Sequence, residues 1–451
     1  MNGIIHQAVM RIKDDVGSAL DPETIETVCR TVGHTWRERD LGPAATVQGF
    51  LLQILHGNTA CSNVPRLLGK QVTAKAYNLA RGRLPFAVLQ QLLAIICNRL
   101  GECVNDTGRW FGHRVWVMDG TGCSMPDTPE LQKAFGQPPM QQNGCGFPVA
   151  HLVSLFHVGT GMLMRVVAAP LRTGDMALAK YLHGELQRGD IVIADRAFGS
   201  FGHLAALAAM GAHGLFRVQQ TRVVSFRDGR ASSANRRRQG RHVPAPTGRW
   251  VKRLGDADQI VEYVKPRVRP SWLTPEEWRH VPRSILVREL RYSLTASGYR
   301  SRTVTLVTTL LDGDRYPKHA IIDLYAQRWQ VETNIRHLKV TLGMDVLHTK
   351  SVDGIHKELA MFAIAYNLVR LVMLEAATRQ KVPPARISFV DALRWLLHAG
   401  PNTRLTPLIV LPERPGRCEP RVRKRRPKNY PPMSRPRAVL TQALWTQGLT
   451  P

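Results

Sequence analysis

LYAQRWQVETNIRHLKVTL, Leu324 to Leu342, carries Tyr325, Arg328, Glu332 and Lys339 at offsets close to the turn of an α-helix. At about 100° per residue the four fall within an arc of roughly 60°, so one helical face presents a phenol, a guanidinium, a carboxylate and an ammonium together. Leu324, Val331, Ile335, Leu338 and Leu342 form a second stripe beside it, the apolar seam that pins such a helix to a core. A surface helix with a solvated charged face would show the same spacing. The chain around the stripe is what gives it weight.

With 451 residues the chain exceeds one compact core, and ~150 residues per domain suggests two to four units. Lys and Arg total 62 against 34 Asp and Glu, a formal net charge of +28. That excess is more than solubility needs and points to a polyanionic partner, nucleic acid first. No run of ~18 uncharged apolar residues occurs, and the opening MNGIIHQAVMRIKDD lacks a signal-peptide centre, so a soluble, cytoplasmic protein without membrane attachment is expected. Seven cysteines, scattered and without a C-x-x-C pair, indicate neither a disulfide framework nor a zinc knuckle. They are expected as reduced, mostly buried thiols.

Residues 1–110 read as a helical DNA-binding domain, with apolar helical spacing in VQGFLLQIL (Val47 to Leu55) and FAVLQQLLAIICNRL (Phe86 to Leu100). Between them, Arg66, Lys70, Lys75, Arg81 and Arg83 stud two short helical patterns split near Gly69. This fits a helix-turn-helix DNA reader with its basic side outward, or an ordinary helical hairpin. From Arg114 the period becomes that of strands, in RVWVMD, VAHLVSLFHV and MLMRVVAAP. A helix from Asp175 to Leu186, the strand IVIAD at 191–195, a second helix and the strand HGLFRVQQ follow. The order β-β-β-α-β-α-β, with a later helix holding Glu332, predicts an α/β fold with a ribonuclease H-like mixed-sheet catalytic core. That core is expected over 111–220 and 313–380. Residues 221–312, basic and polar at first and then strand-like, predict a β-rich insertion projecting from the sheet. ELAMFAIAYNLVRLVMLEAAT suits a buried core helix rather than a membrane span, and residues 381–451 read as a helical segment with a Pro- and Arg-rich basic tail containing RVRKRRPK.

Asp119 ends the apolar run RVWVMDGTG, where Gly120 and Gly122 leave the approach open, and Asp195 ends IVIAD in the same way. Two strand-end carboxylates joined by Glu332 would make a site too negative to persist without cations. Magnesium or manganese is the hard, oxygen-seeking partner for such a set, and two ions could activate a water or 3′-hydroxyl for in-line phosphoryl displacement. Asp127, Glu130, Asp175 and Asp190 read as capping or surface groups, and His151 and His157 lack ligand spacing. Glu358 is the next carboxylate to consider should Glu332 not serve.

Asp119-Gly120-Thr121, Asp195-Arg196-Ala197-Phe198 and Tyr325-x2-Arg328-x3-Glu332-x6-Lys339 resemble the three signature regions of DDE transposases of the insertion-sequence-four family. The last matches that family's Y-R-E-K signature in full, and the resemblance runs from about Arg114 to Arg370. It implies catalysis and binding of two divalent metal ions, Mg2+ or Mn2+, by Asp119, Asp195 and Glu332, and DNA contacts by Tyr325, Arg328 and Lys339. It further implies binding of double-stranded DNA (terminal inverted repeats and target DNA), cut-and-paste transposition through strand cleavage and strand transfer, and a homodimer in the synaptic complex. Some relatives place an aromatic where it stacks on a flipped base; Trp250, Trp272 and Trp278 are the nearest candidates here, each more often a core residue. A structure-specific nuclease on the same fold, or an inactive transposase-derived DNA-binding protein, would share the acids or the basic surface.

Overall fold

The computed structural model describes residues 17–106, 108–139, 144–219, 222–229, 248–294, 302–399, 403–413 and 435–446, the backbone of 236–238 and 241–243, and the isolated residues 9, 142 and 433. RVRKRRPK and most of the basic tract after Gln220 lie outside the described residues. The N-terminal helices are α1 (Pro22–Thr31), α2 (Pro43–Leu55), α3 (Val64–Leu68), α4 (Ala74–Arg83) and α5 (Phe86–Asp106). Gly69, in the left-handed region at φ 63°, ends α3 and turns the chain toward α4. Arg66, Lys75 and Arg83 are exposed, but Arg81 is not. Its guanidinium lies over Phe50, 4.9 Å from the ring centre, and donates to Gln53 Oε1 at 3.0 Å. The outward basic side expected of this pair therefore loses Arg81, because a planar cation with an apolar stem packs well on an aromatic ring.

The central strands are β1 (Val115–Ser124), β2 (Val149–His157), β3 (Leu163–Pro170), β4 (Ile191–Ala194) and β5 (His213–Arg217). Strands β2 and β3 run antiparallel as a meander from β1, whereas β4 and β5 lie parallel to β1 and to each other, giving the order 3-2-1-4-5. A parallel pair needs a crossover, supplied here by α7 (Asp175–Leu182) before β4 and α8 (Phe201–Ala209) before β5. This is the mixed α/β sheet of a ribonuclease H-like core.

A short helix α6 (Pro129–Phe135) and the hairpin β6 (Arg236–Arg238) and β7 (Arg241–Val243) stand outside this frame. Strands β8 (Gly248–Gly255), β9 (Asp258–Val264), β10 (Ser284–Leu294) and β11 (Arg302–Thr308), with α9 (Pro275–His280) between β9 and β10, do not form a separate projection. Antiparallel pairing of β11 with β5, Leu306 opposite Arg217, continues the sheet to nine strands in the order 3-2-1-4-5-11-10-9-8. The free edge of β5 is thereby covered. Inside the added strands, Arg288 forms a fully buried ion pair with Asp258, its Nε 2.8 Å from Oδ1.

After β11 come α10 (Lys318–Ala326), α11 (Trp329–Arg336), a π-helical turn at His337–Thr341, and α12 (Val352–Gln380), followed by α13 (Phe389–His398) and α14 (Arg437–Thr446). Helix α12 is the one described helix long and apolar enough for a membrane span, and 94% of its apolar window is buried inside the fold, as a core helix requires. Cys29, Cys97, Cys123 and Cys145 are buried free thiols and Cys61 is half-buried. Burial pushes the Cys97 and Cys123 thiols up to about 12.

Two histidines, His157 and His203, are fully enclosed and two, His183 and His337, are half-buried; burial holds His157, His183 and His337 down to about 4 and His203 to about 3. His203 is stacked between His183 and Phe216, with ring centroids 5.1 Å away on each side. A histidine whose folded pKa is depressed favours the folded state above its unfolded value of about 6.5. As pH falls below that, the unfolded chain takes up the protons first, so stability declines between pH ~6.5 and ~4. Unfolding free energies from urea titrations at pH 7.5 and 5 should differ by about 1–2 kcal/mol for each ring that cannot protonate in the fold, with the acid sample less stable and its midpoint lower. Equal midpoints would mean that these rings can protonate in place.

Candidate active site

Strand β1 delivers Asp119 and the adjacent parallel strand β4 delivers Asp195 at the same sheet edge, one residue beyond its last paired position. Helix α11 packs on β1 and brings Glu332. The Asp119 side chain is 20% exposed, and burial is the main force lifting its carboxyl to about 6. The Gly120 N–H and Arg328 oppose that rise, while the charges of Asp195 and Glu332 add to it. The three acids therefore feel one another. The two aspartates are also held locally: Gly120 N–H donates to Asp119 Oδ1 at 2.9 Å, and Ala197 N–H to Asp195 Oδ1 at 2.8 Å.

Arg328 stands between two of them, 4.0 Å from Asp119 Oδ2 and 3.4 Å from Glu332 Oε1. Its guanidinium also lies 5.1 Å from the ring centre of Trp329. Glu332 is half exposed and turned toward Arg328. Among the described residues, no three His, Cys, Asp or Glu side chains are drawn close enough to hold one ion as they stand, which departs from the ready cage expected from sequence. The donor set nevertheless fits a hard cation in kind, being two strand-end carboxylates and one from the helix packed on β1, with burial first and the neighbouring acids second disfavouring Asp119 as a bare anion.

The continuous helix expected over 324–342 is interrupted twice. At the junction of α10 and α11 the bonds shorten to i→i+3, with Arg328 N–H on Tyr325 O, Gln330 N–H on Gln327 O and Val331 N–H on Arg328 O. At His337–Thr341 they lengthen to a π turn, and Lys339 swings onto the end of β1, where its ammonium donates to Gly122 O at 2.8 Å. Tyr325 is buried to 8% exposure and burial raises its hydroxyl to about 12. Of the Y-R-E-K set, Arg328 thus reaches both Asp119 and Glu332, Lys339 meets β1 at Gly122, three residues beyond Asp119, and Tyr325 is buried in the core.

Several neighbouring groups sit differently from expectation. Gly120 does not open the approach to Asp119: a Cβ there would come within 2.7 Å of Asp175 Oδ1, and alternation along the strand puts this on the opposite face. Asp175 instead pairs with His151 Nε2 at 2.8 Å. Asp190 is not a surface group but fully buried, with Arg114 donating from Nε at 2.8 Å and Nη2 at 2.7 Å. Trp272 and Trp278 are half-buried against the core. Trp329, which the sequence reading did not single out, is 54% exposed beside Arg328 and Glu332. Its signal was an aromatic directly after the arginine of the signature, on the polar side of the seam. The ring offers a face on which a nucleobase could stack.

Residues 110–368, more than half of the chain, match the model of the transposase DDE domain. The chain belongs to the DDE transposase family. Transposase InsG for insertion sequence element IS4 of Escherichia coli (strain K12) is 25% identical over 342 residues, 71% of this chain and 70% of that protein. Putative transposase InsZ of the same strain is 30% identical over 105 residues, 23% of this chain and 34% of that one. The first agrees with the insertion-sequence-four resemblance. A piggyBac transposase, solved by cryo-EM as a synaptic complex with hairpin DNA, aligns with 87% of this chain and 78% of its own at a TM-score of 0.43 and 8% identity.

Proposed function

We propose that this DDE transposase binds terminal inverted repeats as a homodimer, cleaves the strands at the element's ends and joins them to target DNA in the cytoplasm. The observation that supports the reading is Arg328 reaching both Asp119 and Glu332, at 4.0 and 3.4 Å, with Asp195 at the end of the parallel strand beside Asp119. Asp119, Asp195 and Glu332 would hold two divalent cations, which when bound supply a Lewis acid and an activated oxygen nucleophile for phosphoryl transfer. Arg328 would trade its carboxylate contacts for the bridging or non-bridging oxygens of a phosphate, which match its fork of donors. Lys339 would meet a second phosphate over the end of β1, and Tyr325 would support Arg328 from beneath. The formal charge of +28 supplies a field that draws the duplex in.

Incubating the protein with DNA carrying its own flanking repeats, a target plasmid and magnesium tests the whole reading. Cleavage at the repeat ends followed by joined products is expected. Cleavage without joining would indicate a nuclease instead, and binding without cleavage an inactive DNA-binding protein. Replacing both Arg328 and Lys339 with Ala should weaken binding to a repeat-end duplex and reduce the slope of log affinity against log salt by about 0.9 for each lost contact. Parallel slopes for parent and double mutant would mean that neither cation touches phosphate.

A further inference from the structure

Lys339 is held twice at the end of β1, by Gly122 O at 2.8 Å and by Asp345 Oδ1 at 2.9 Å. The backbone of Asp345 is fixed on both sides. Its N–H donates to Lys339 O at 3.2 Å, and its carbonyl accepts from Ser124 N–H at 3.1 Å. Leu347 N–H then donates to Ser124 O at 2.8 Å, so Val346 lies opposite Ser124 in a parallel bridge that prolongs β1. The carboxylate alone projects outward, 63% exposed against 24% for the lysine it pairs with. An anion on a rigid mount is thus set against the cation that stands three residues beyond Asp119 on the same strand.

An exposed pair of this kind is weak, and a phosphate carried by a duplex can displace it. While it lasts, it keeps the ammonium on β1 and away from Asp119 and Glu332, the position in which Arg328 is found. Resting on the reading of Lys339 as a phosphate contact, we propose that Asp345 is a built-in surrogate for a DNA phosphate. It is a positioning residue that holds Lys339 in place and that incoming DNA must displace. In a chain this basic, such a surrogate restrains binding to arbitrary duplex, since one cation is released only when a phosphate arrives at that spot.

Four proteins test this on a repeat-end duplex at several salt concentrations: the parent, Asp345→Asn, Lys339→Ala and the double variant. Asp345→Asn should tighten binding about two- to fivefold at low salt while the log–log salt slope stays at the parent value, because Lys339 meets its phosphate in both proteins and only the cost of displacing Asp345 is removed. Asp345→Glu, which keeps the charge, should return the parent affinity. In the Lys339→Ala background, Asp345→Asn should not tighten binding by a comparable amount. Equal tightening in both backgrounds would overturn the proposal in favour of a general charge effect. An unchanged Asp345→Asn beside a weakened Lys339→Ala would overturn it while leaving the phosphate contact intact. If Lys339→Ala alone alters neither affinity nor slope, the phosphate reading and this inference fall together.

Discussion

Replacing Asp119, Asp195 or Glu332 singly with Ala should lower strand cleavage about 1,000-fold or more while repeat-end binding stays equal or tightens. The size follows from the chemistry: an ion stabilising charge in phosphoryl transfer contributes several kcal/mol, and each 1.36 kcal/mol is about tenfold in rate. The direction of the binding change follows from charge, since each substitution removes an anion from a surface meant to meet phosphates. Asp119 and Asp195 stand on neighbouring parallel strands, so their loss is expected to be felt alike. Glu332 is the more informative position because it is half exposed and paired with Arg328 rather than with a backbone donor. A Glu332→Ala protein that still cuts at more than a few per cent of the parent rate would show that its carboxylate serves only to hold Arg328. Cleavage of preformed repeat-end duplexes under single-turnover conditions, with binding measured separately, distinguishes the two.

The placement of Asp119 and Asp195 at the ends of adjacent parallel strands was legible because it depends on features that short stretches display. RVWVMD and IVIAD are apolar runs that end in an acid, and an apolar run that long can only be an interior strand or helix, here bounded by Gly120 and by Gly199 after the turn. Strand order was legible for the same reason as far as β5. It failed at β11, since the pairing of Leu306 with Arg217 is a contact between distant segments that no local period records. The signature helix shows a different limit. Its spacing fits an uninterrupted α-helix, yet the chain tightens at Gln327–Val331 and loosens at His337–Thr341, since Arg328 is pulled to Asp119 and Lys339 to the end of β1. Backbone geometry there follows tertiary charge contacts rather than propensity. Arg81 and Asp190 failed likewise: a charged side chain reads as exposed until its buried partner, Gln53 or Arg114, is known.

Glu358→Ala should cost about 3–5 kcal/mol of stability, the loss expected when one member of a buried charged network is removed and its donors are left bare. Glu358 lies on α12 with no exposure, and its carboxylate is fully engaged. Asn58 Nδ2 donates to Oε1 at 2.7 Å, His348 N–H at 2.9 Å, and Thr349 donates to Oε2 from its N–H at 3.0 Å and its Oγ1 at 2.9 Å. Asn58 itself sits in the left-handed region at φ 54°, just past the end of α2. One carboxylate therefore ties the helical domain to the segment that leaves the signature helix and returns to α12. This occupancy argues against Glu358 as a substitute for Glu332, because a metal would have to take its oxygens from four donors already bonded to them. The two roles separate experimentally. A structural Glu358 predicts a lowered urea midpoint for Glu358→Ala, with cleavage per folded molecule close to parent at a temperature where the variant is still native. A metal ligand predicts the reverse, an unchanged midpoint and lost cleavage. Asn58→Ala should then show a smaller share of the same destabilisation, about 1–3 kcal/mol, because it removes one of the donors and leaves the other three in place.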